Sequence, residues 1–305
     1  MSAPSDRPAR PRMAWPGDAA LALAVVVNVE HVDWLPPEAA VRPAGFPGAY
    51  GSAPYPDVRA WSHREYGNRV GLFRVLGLLE RVGIRPTVAI DAMSAARPEL
   101  AAEIRRRGCE VIGHGVAVTR LISQAMTAEE ETAHVAGALG ALETAFGARP
   151  RGWHGPEYGQ SARTPAILRG QGVGYMLDWP DDERPRLVDT SAGAIVSLPM
   201  LAELDDVFAL WQRRIPLAAW RQGVLDAIDR LVEEADGTGR VLVLNLHPWL
   251  IGQPWRSTYL REVVEAVASR RRIWLATCGE IVGSALPQLK AAAATKPRAA
   301  RAQRN

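Results

Sequence analysis

The sequence predicts an α/β protein built on a parallel sheet, and three observations carry that reading. Apolar runs of strand length recur along the chain, helical patterns separate them, and polar residues gather just past the ends of several runs. Continuous apolar and β-branched runs suit strands buried on both faces. Their alternation with helices makes βα units.

The strand-like runs are LALAVVVNV at 21–29, PTVAI at 86–90, CEVIG at 109–113, GVGYMLDW at 172–179, AIVSLPM at 194–200, VLVLNLH at 241–247 and IWLATC at 273–278. Helical patterns fill 68–83, 97–108, 127–147, 164–172, 218–237 and 257–271. Several close at Gly and three open at Ser or Thr, as helix caps do. These strands fit a closed barrel or an open doubly wound sheet, and periodicity does not separate the two. In both, active sites are built at the C-terminal strand ends. Asn28 to His31, Gly113-His114, Asp178-Trp179 and Asn245 to His247 all lie there.

With 48% hydrophobic and 23% charged residues in 305, the chain can bury a large core. The net charge of +3 comes largely from the ends: Arg7, Arg10 and Arg12, then Lys290, Lys296, Arg298, Arg301 and Arg304. That leaves no basic face for nucleic acid. The expected organisation is a disordered basic tail over 1–17, one domain over 18–285 and a second basic tail over 286–305. The only two cysteines, Cys109 and Cys278, sit in apolar runs and read as core thiols. There is no apolar signal core, and AALALAVVV falls short of the ~20 residues that span a bilayer. A cytoplasmic protein with no membrane partner is expected. The Pro- and Gly-rich stretch 32–62 reads as a lid over the strand ends or an oligomer contact.

Glu30 and His31 follow an apolar run directly, where unpaired burial of charge is costly. Partial desolvation would raise the Glu30 carboxyl toward neutrality and suit it to act as a general base. His114 and His247 end two further strands, so three strand ends deliver ionisable groups to one rim. The turn GWHGPEYGQSARTP at 152–165 offers Trp153, His154 and Glu157 for stacking and polar contact, and Asp178 could orient a histidine beside Trp179. No phosphate-binding glycine loop follows the first strand, and no Gly-x-Ser-x-Gly elbow is present.

In this order, NVEH, the histidine of IGHGVAV, WHGPEYG, LDW and LNLHP resemble the motifs of the polysaccharide deacetylase (NodB-like, carbohydrate esterase family 4) superfamily. REYGNRVGLFR and LHPWLIGQPWR resemble its branch of metal-independent allantoinases and cyclic imidases. The resemblance covers about residues 20–284 and implies a distorted (β/α)7 barrel. It places Glu30 at the base position, His31 at a ligand position, His114 at the first zinc-binding histidine and His247 at the general acid.

Two departures bear on chemistry. Val118 stands where the second zinc-binding histidine should be, and WHGPEYG lacks the usual Arg. A catalytic zinc keeps three protein ligands, which Glu30, His31 and His114 could supply if a metal is bound. Without one, Glu30 activates water, His114 stabilises the oxyanion, His247 protonates the leaving nitrogen and Asp178 orients a histidine. Arg69 could anchor a substrate carboxylate or carbonyl. The expected activity is hydrolysis of a small cyclic amide, imide or ureide with no required cofactor. A metal-dependent N-deacetylase and a ligand-binding member without turnover are the alternatives. Relatives in this branch imply a homo-oligomer.

Overall fold

A computed structural model describes residues 12–36, 55–235 and 237–294. Nine strands among them make one sheet: β1 (Leu21–Val29), β2 (Thr87–Ile90), β3 (Glu110–Gly113), β4 (Gly152–Trp153), β5 (Tyr175–Met176), β6 (Arg186–Val188), β7 (Ile195–Ser197), β8 (Arg240–Leu246) and β9 (Ile273–Leu275). Their order is β6-β7-β5-β4-β3-β2-β1-β8, with β9 also on β1. Every pairing is parallel except β6 with β7. The sheet curls into a distorted barrel. The segment just before β6 reaches β8, where the Val241 amide donates to the Glu183 carbonyl at 2.9 Å.

Nine helices, α1 (Val58–Tyr66), α2 (Leu72–Arg81), α3 (Ala92–Ala95), α4 (Pro98–Arg106), α5 (Ala128–Phe146), α6 (Thr164–Gly170), α7 (Leu217–Glu233), α8 (Pro254–Ser269) and α9 (Cys278–Ala294), are among the described residues. A π-helical turn, Gly67–Gly71, joins α1 to α2 without a break. The sequence pattern starts this helical stretch at 68, one helix too late. Strands β4 and β6 and helix α9 are likewise absent from the pattern.

Residue parity along β1 explains both what the sheet buries and where the site forms, because alternate strand residues face opposite sides. Leu21, Leu23, Val25, Val27 and Val29 pack outward against the helical layer of α2, α7 and α8. Ala22, Ala24 and Val26 face the barrel interior with Tyr175, Leu177, Val196, Leu198, Val241 and Val243. The interior row continues through Asn28 to Glu30. Each fully buried Val or Leu contributes about 1.5–3 kcal/mol, so the register is strongly fixed.

The ends of the chain depart from the expected boundaries. Met13 and Trp15 belong to the interior core, and Trp15 Nε1 donates to the Arg240 carbonyl at 2.9 Å, so the packed domain begins before residue 18. Helix α9 continues past 285 to Ala294, where buried Leu289 holds it. The basic stretches 1–11 and 295–305 lie outside the described residues, as do 37–54 of the expected lid. No helix among the described residues is long and apolar enough to cross a membrane.

Helices α1 and α2 meet the segment after β8 with almost no clearance. A Cβ on Gly71 would sit 2.0 Å from the Pro248 carbonyl oxygen, and one on Gly252 would sit 2.3 Å from the same atom. Those contacts are with backbone, so no side chain can swing away. Gly71→Ala is expected to destabilise the protein by about 1–3 kcal/mol, read as a lower denaturant midpoint, and to disturb the chain next to His247.

Candidate active site

Six strand ends supply the site. Glu30 follows β1, Asp91 follows β2, His114 follows β3, His154 follows β4, Asp178 lies just past β5, and Asn245 and His247 lie on and after β8. All are buried.

Glu30 is at the centre. Its Oε2 accepts from Arg64 Nη1 at 3.1 Å, and its backbone carbonyl accepts from Asn68 Nδ2 at 2.8 Å. Arg64 and Asn68 are four residues apart across the junction of α1 and the π-helical turn, so one helical face serves both ends of Glu30. The Arg64 guanidinium also lies 3.9 Å from the centre of the Trp249 ring. On its other side, Glu30 Oε1 faces His114 Nε2 at 3.5 Å and His247 Nε2 at 3.9 Å.

Burial would raise the Glu30 carboxyl, but His114, His247 and Arg64 outweigh it and hold the group well below the usual carboxylate range. This corrects the expectation of a carboxyl near neutrality: desolvation is present, and the surrounding positive charge exceeds it. Glu30 is a buried carboxylate with paired charge.

His247 is set by two acids that the sequence reading did not single out. Its Nδ1 donates to Asp206 Oδ1 at 2.7 Å, and its amide donates to both Asp206 oxygens at 3.1 and 3.0 Å. Asp205 Oδ1 is 3.9 Å from the same ring nitrogen. Burial opposes charge on the imidazole, yet Asp205, Asp206 and Glu30 together push it up to about 10. Asp205 also accepts from the Val207 and Phe208 amides, Tyr158 Oη and Asn245 Nδ2. Asn28 Nδ2 donates to Asn245 Oδ1 at 2.7 Å, which ties β1 to β8 beneath the histidine. The available signal was LAELDDVFAL, two consecutive acids just past the run at 194–200.

His114 Nδ1 donates to the His154 carbonyl at 2.6 Å, which leaves Nε2 as the nitrogen offered to Glu30. Asp178 does orient a histidine, and that histidine is His154: its Nδ1 donates to Asp178 Oδ1 at 2.8 Å. Burial lowers the His154 imidazole despite Asp178. Glu157 sits at positive φ (51°) on the turn after β4. Desolvation and then the Glu30 charge raise its carboxyl, while its outer surface stays exposed. Asp91, also unforeseen, is pushed up to about 7 by burial, although the His31 and Ser94 amides donate to it.

Three expected site residues fall elsewhere. Trp153 is fully buried among Leu139, Leu168 and Met176 and offers no stacking surface, because it has outward parity on β4 while His154 has inward parity. Arg69 is exposed and takes no part in this network; the arginine of REYGNR that reaches Glu30 is Arg64. His31 has outward parity too, and its half-buried ring faces Asp33 at 3.7 Å. Trp179 is half-buried at the rim, donating to Gln160 Oε1 at 3.0 Å beneath the Arg186 guanidinium.

The zinc chemistry of sugar deacetylases can be tested against these donors. Val118 is buried, with its amide on the His31 carbonyl, and supplies no ligand. Glu30, His31 and His114 do not gather into a ligand set. Among the described residues, Asp205, Asp206 and His247 are the one group of three whose donor atoms lie within 4.8 Å of each other. Their atoms are already committed: Asp206 to two N–H groups of His247, Asp205 to four donors, and His247 Nδ1 to Asp206. That arrangement fits an anionic cradle for an imidazolium and does not fit a zinc ion, which needs free lone pairs.

No family model matches the chain. A Schizosaccharomyces pombe protein provisionally named a polysaccharide deacetylase is 24% identical over 300 residues, covering 88% of this chain and 90% of its own. A solved structure from Pseudomonas aeruginosa PAO1, also provisionally named a polysaccharide deacetylase, is 26% identical with a TM-score of 0.77 over 91% of this chain and 95% of its own. The crystal structure of Puue allantoinase superposes with a TM-score of 0.78 at 24% identity, over 91% of this chain and 94% of that one, which shows a shared fold. In sequence and fold together, the chain is similar over nearly its whole length to proteins provisionally named polysaccharide deacetylases, and it shares its fold with an allantoinase.

Proposed function

We propose that this chain is a hydrolase of non-peptide C–N bonds that opens a cyclic amide, imide or ureide. One observation carries the reading: Glu30 and His247 face each other at the C-terminal strand rim, with His247 Nε2 3.9 Å from Glu30 Oε1. That spacing exceeds a hydrogen bond. It leaves the two groups poised to act on a water and a leaving group rather than only on each other.

The proton balance follows from their charges. Glu30 takes a proton from water as the water oxygen bonds to the ring carbonyl carbon. With Nδ1 donating to the His154 carbonyl, His114 stabilises the developing oxyanion only with a second proton on Nε2, which then serves as the donor. The C–N bond breaks, its electron pair stays on nitrogen, and that nitrogen takes the His247 proton. The proton on Glu30 then returns to His247, restoring both groups.

Substrate choice follows from how the base is held. A carboxylate kept far below its ordinary range is a weak base, so the carbonyl must already be activated. Imides and ureides meet that need better than an unactivated acetamide. The neighbouring allantoinase is named for such a ring.

The test is turnover of a panel of hydantoins, cyclic imides and ureides beside N-acetylated sugars, with chelator-treated protein run in parallel. Ring opening that survives chelation is expected. Activity confined to N-acetyl substrates and restored only by zinc would replace this reading with a metal-dependent deacetylase.

A further inference from the structure

The two arginines nearest the expected substrate role are already accounted for. Arg64 is taken up by Glu30 and the face of Trp249, and Arg69 is exposed. A third, Arg256, is different. Its Nε and Nη1 are buried and have no hydrogen-bond partner, and it forms no ion pair among the described residues. Guanidinium N–H groups removed from water without an acceptor are costly. A buried donor left open in this way calls for an acceptor that the described residues do not supply.

Its surroundings connect it to the reaction centre. Arg256 stands nine residues after His247 in LHPWLIGQPWR, on the first turn of α8. It lies within electrostatic reach of Asp206, the partner of His247, and of His63. The His63 ring stacks on Trp211 with centroids 5.4 Å apart and meets Trp249 edge-on at 5.3 Å. Trp249 in turn lies 6.3 Å from His247. The guanidinium lies 4.8 Å from the ring centre of Trp255. Burial works against its charge, with only Asp206 supporting it. An anion brought by a substrate would relieve that.

Resting on the ring-opening reading, we propose that Arg256 is the anion-binding residue of this site and that the ring opened there carries a carboxylate. Guanidinium geometry matches a carboxylate with two parallel N–H···O bonds.

Hydantoin-5-acetate and its uncharged analogue hydantoin-5-acetamide form a matched pair of probes. The wild type is expected to favour the acid by roughly 10- to 100-fold in kcat/KM, chiefly through KM. Arg256→Gln is expected to collapse that ratio toward one, and Arg256→Lys to restore part of it. Because the ratio is internal to each protein, partial loss of folded R256Q does not obscure it. The same pair is titrated by calorimetry into E30Q and into E30Q/R256Q, where binding is read without turnover. Tighter binding of the acid that depends on Arg256, with neither probe opened by the wild type, would sustain the anion site and overturn ring opening. Equal turnover of both probes, or a ratio that R256Q leaves unchanged, would overturn the anion site and leave ring opening standing. Neither binding nor turnover of either probe would overturn both.

Discussion

Glu30→Gln is expected to lower kcat by about 10²- to 10⁴-fold, the range typical of a lost general base. The amide keeps the shape of the side chain and can still accept from Arg64 Nη1, which lies 3.1 Å from Oε2. It cannot take a proton from water. The substitution also removes the one negative charge that faces Arg64, His114 and His247 together. Leaving the buried Arg64 guanidinium without its carboxylate is destabilising, so the melting temperature should fall as well. The two effects separate in a steady-state assay run well below that melting temperature: a loss of kcat in folded protein identifies the base, whereas a loss explained by unfolding alone would count against it.

Asp206→Asn is expected to be the second large effect, and it acts through His247. With both acids in place the imidazole is held up to about 10, so His247 is protonated at neutral pH and activity should fall only as pH rises through that value. Replacing Asp206 removes a buried charge 2.7 Å from Nδ1. Loss of such a partner shifts a histidine downward by roughly 1–3 units, so the basic limb of kcat/KM moves toward neutral pH. The stability sign agrees. A histidine whose folded value lies above its ordinary 6.5 stabilises the fold fully below that value and loses the contribution as pH rises through about 10. D206N protein should therefore lose stability at a lower pH than the wild type. A basic limb that does not move would show that another group supplies the proton.

Much of this was legible in the sequence, and the misses have physical causes. The runs at 21–29 and 241–247 appear as strands nearly as read, because long buried runs leave little ambiguity. Glu30, His114 and His247 come together because each follows a strand of one parallel sheet. Parity would have separated Glu30 from His31 and His154 from Trp153, since each pair is adjacent along an extended chain and so faces opposite sides.

Arg64 lies before the helical period that the sequence shows from 68, and the π-helical turn that continues α1 into α2 leaves no periodic trace in the sequence. Asp205 and Asp206 were visible as a pair. Their role depends on contact with β8, some 40 residues onward, and local patterns do not encode a pairing at that distance.

The charge on His247 is the point on which the mechanism turns, and histidine NMR reads it directly. With His247→Asn protein used to assign the signal, the His247 ring of the wild type is expected to be an imidazolium at neutral pH and to titrate near pH 10, with a lower midpoint in D206N. A His247 that is a neutral imidazole at pH 7 in the wild type would contradict the account.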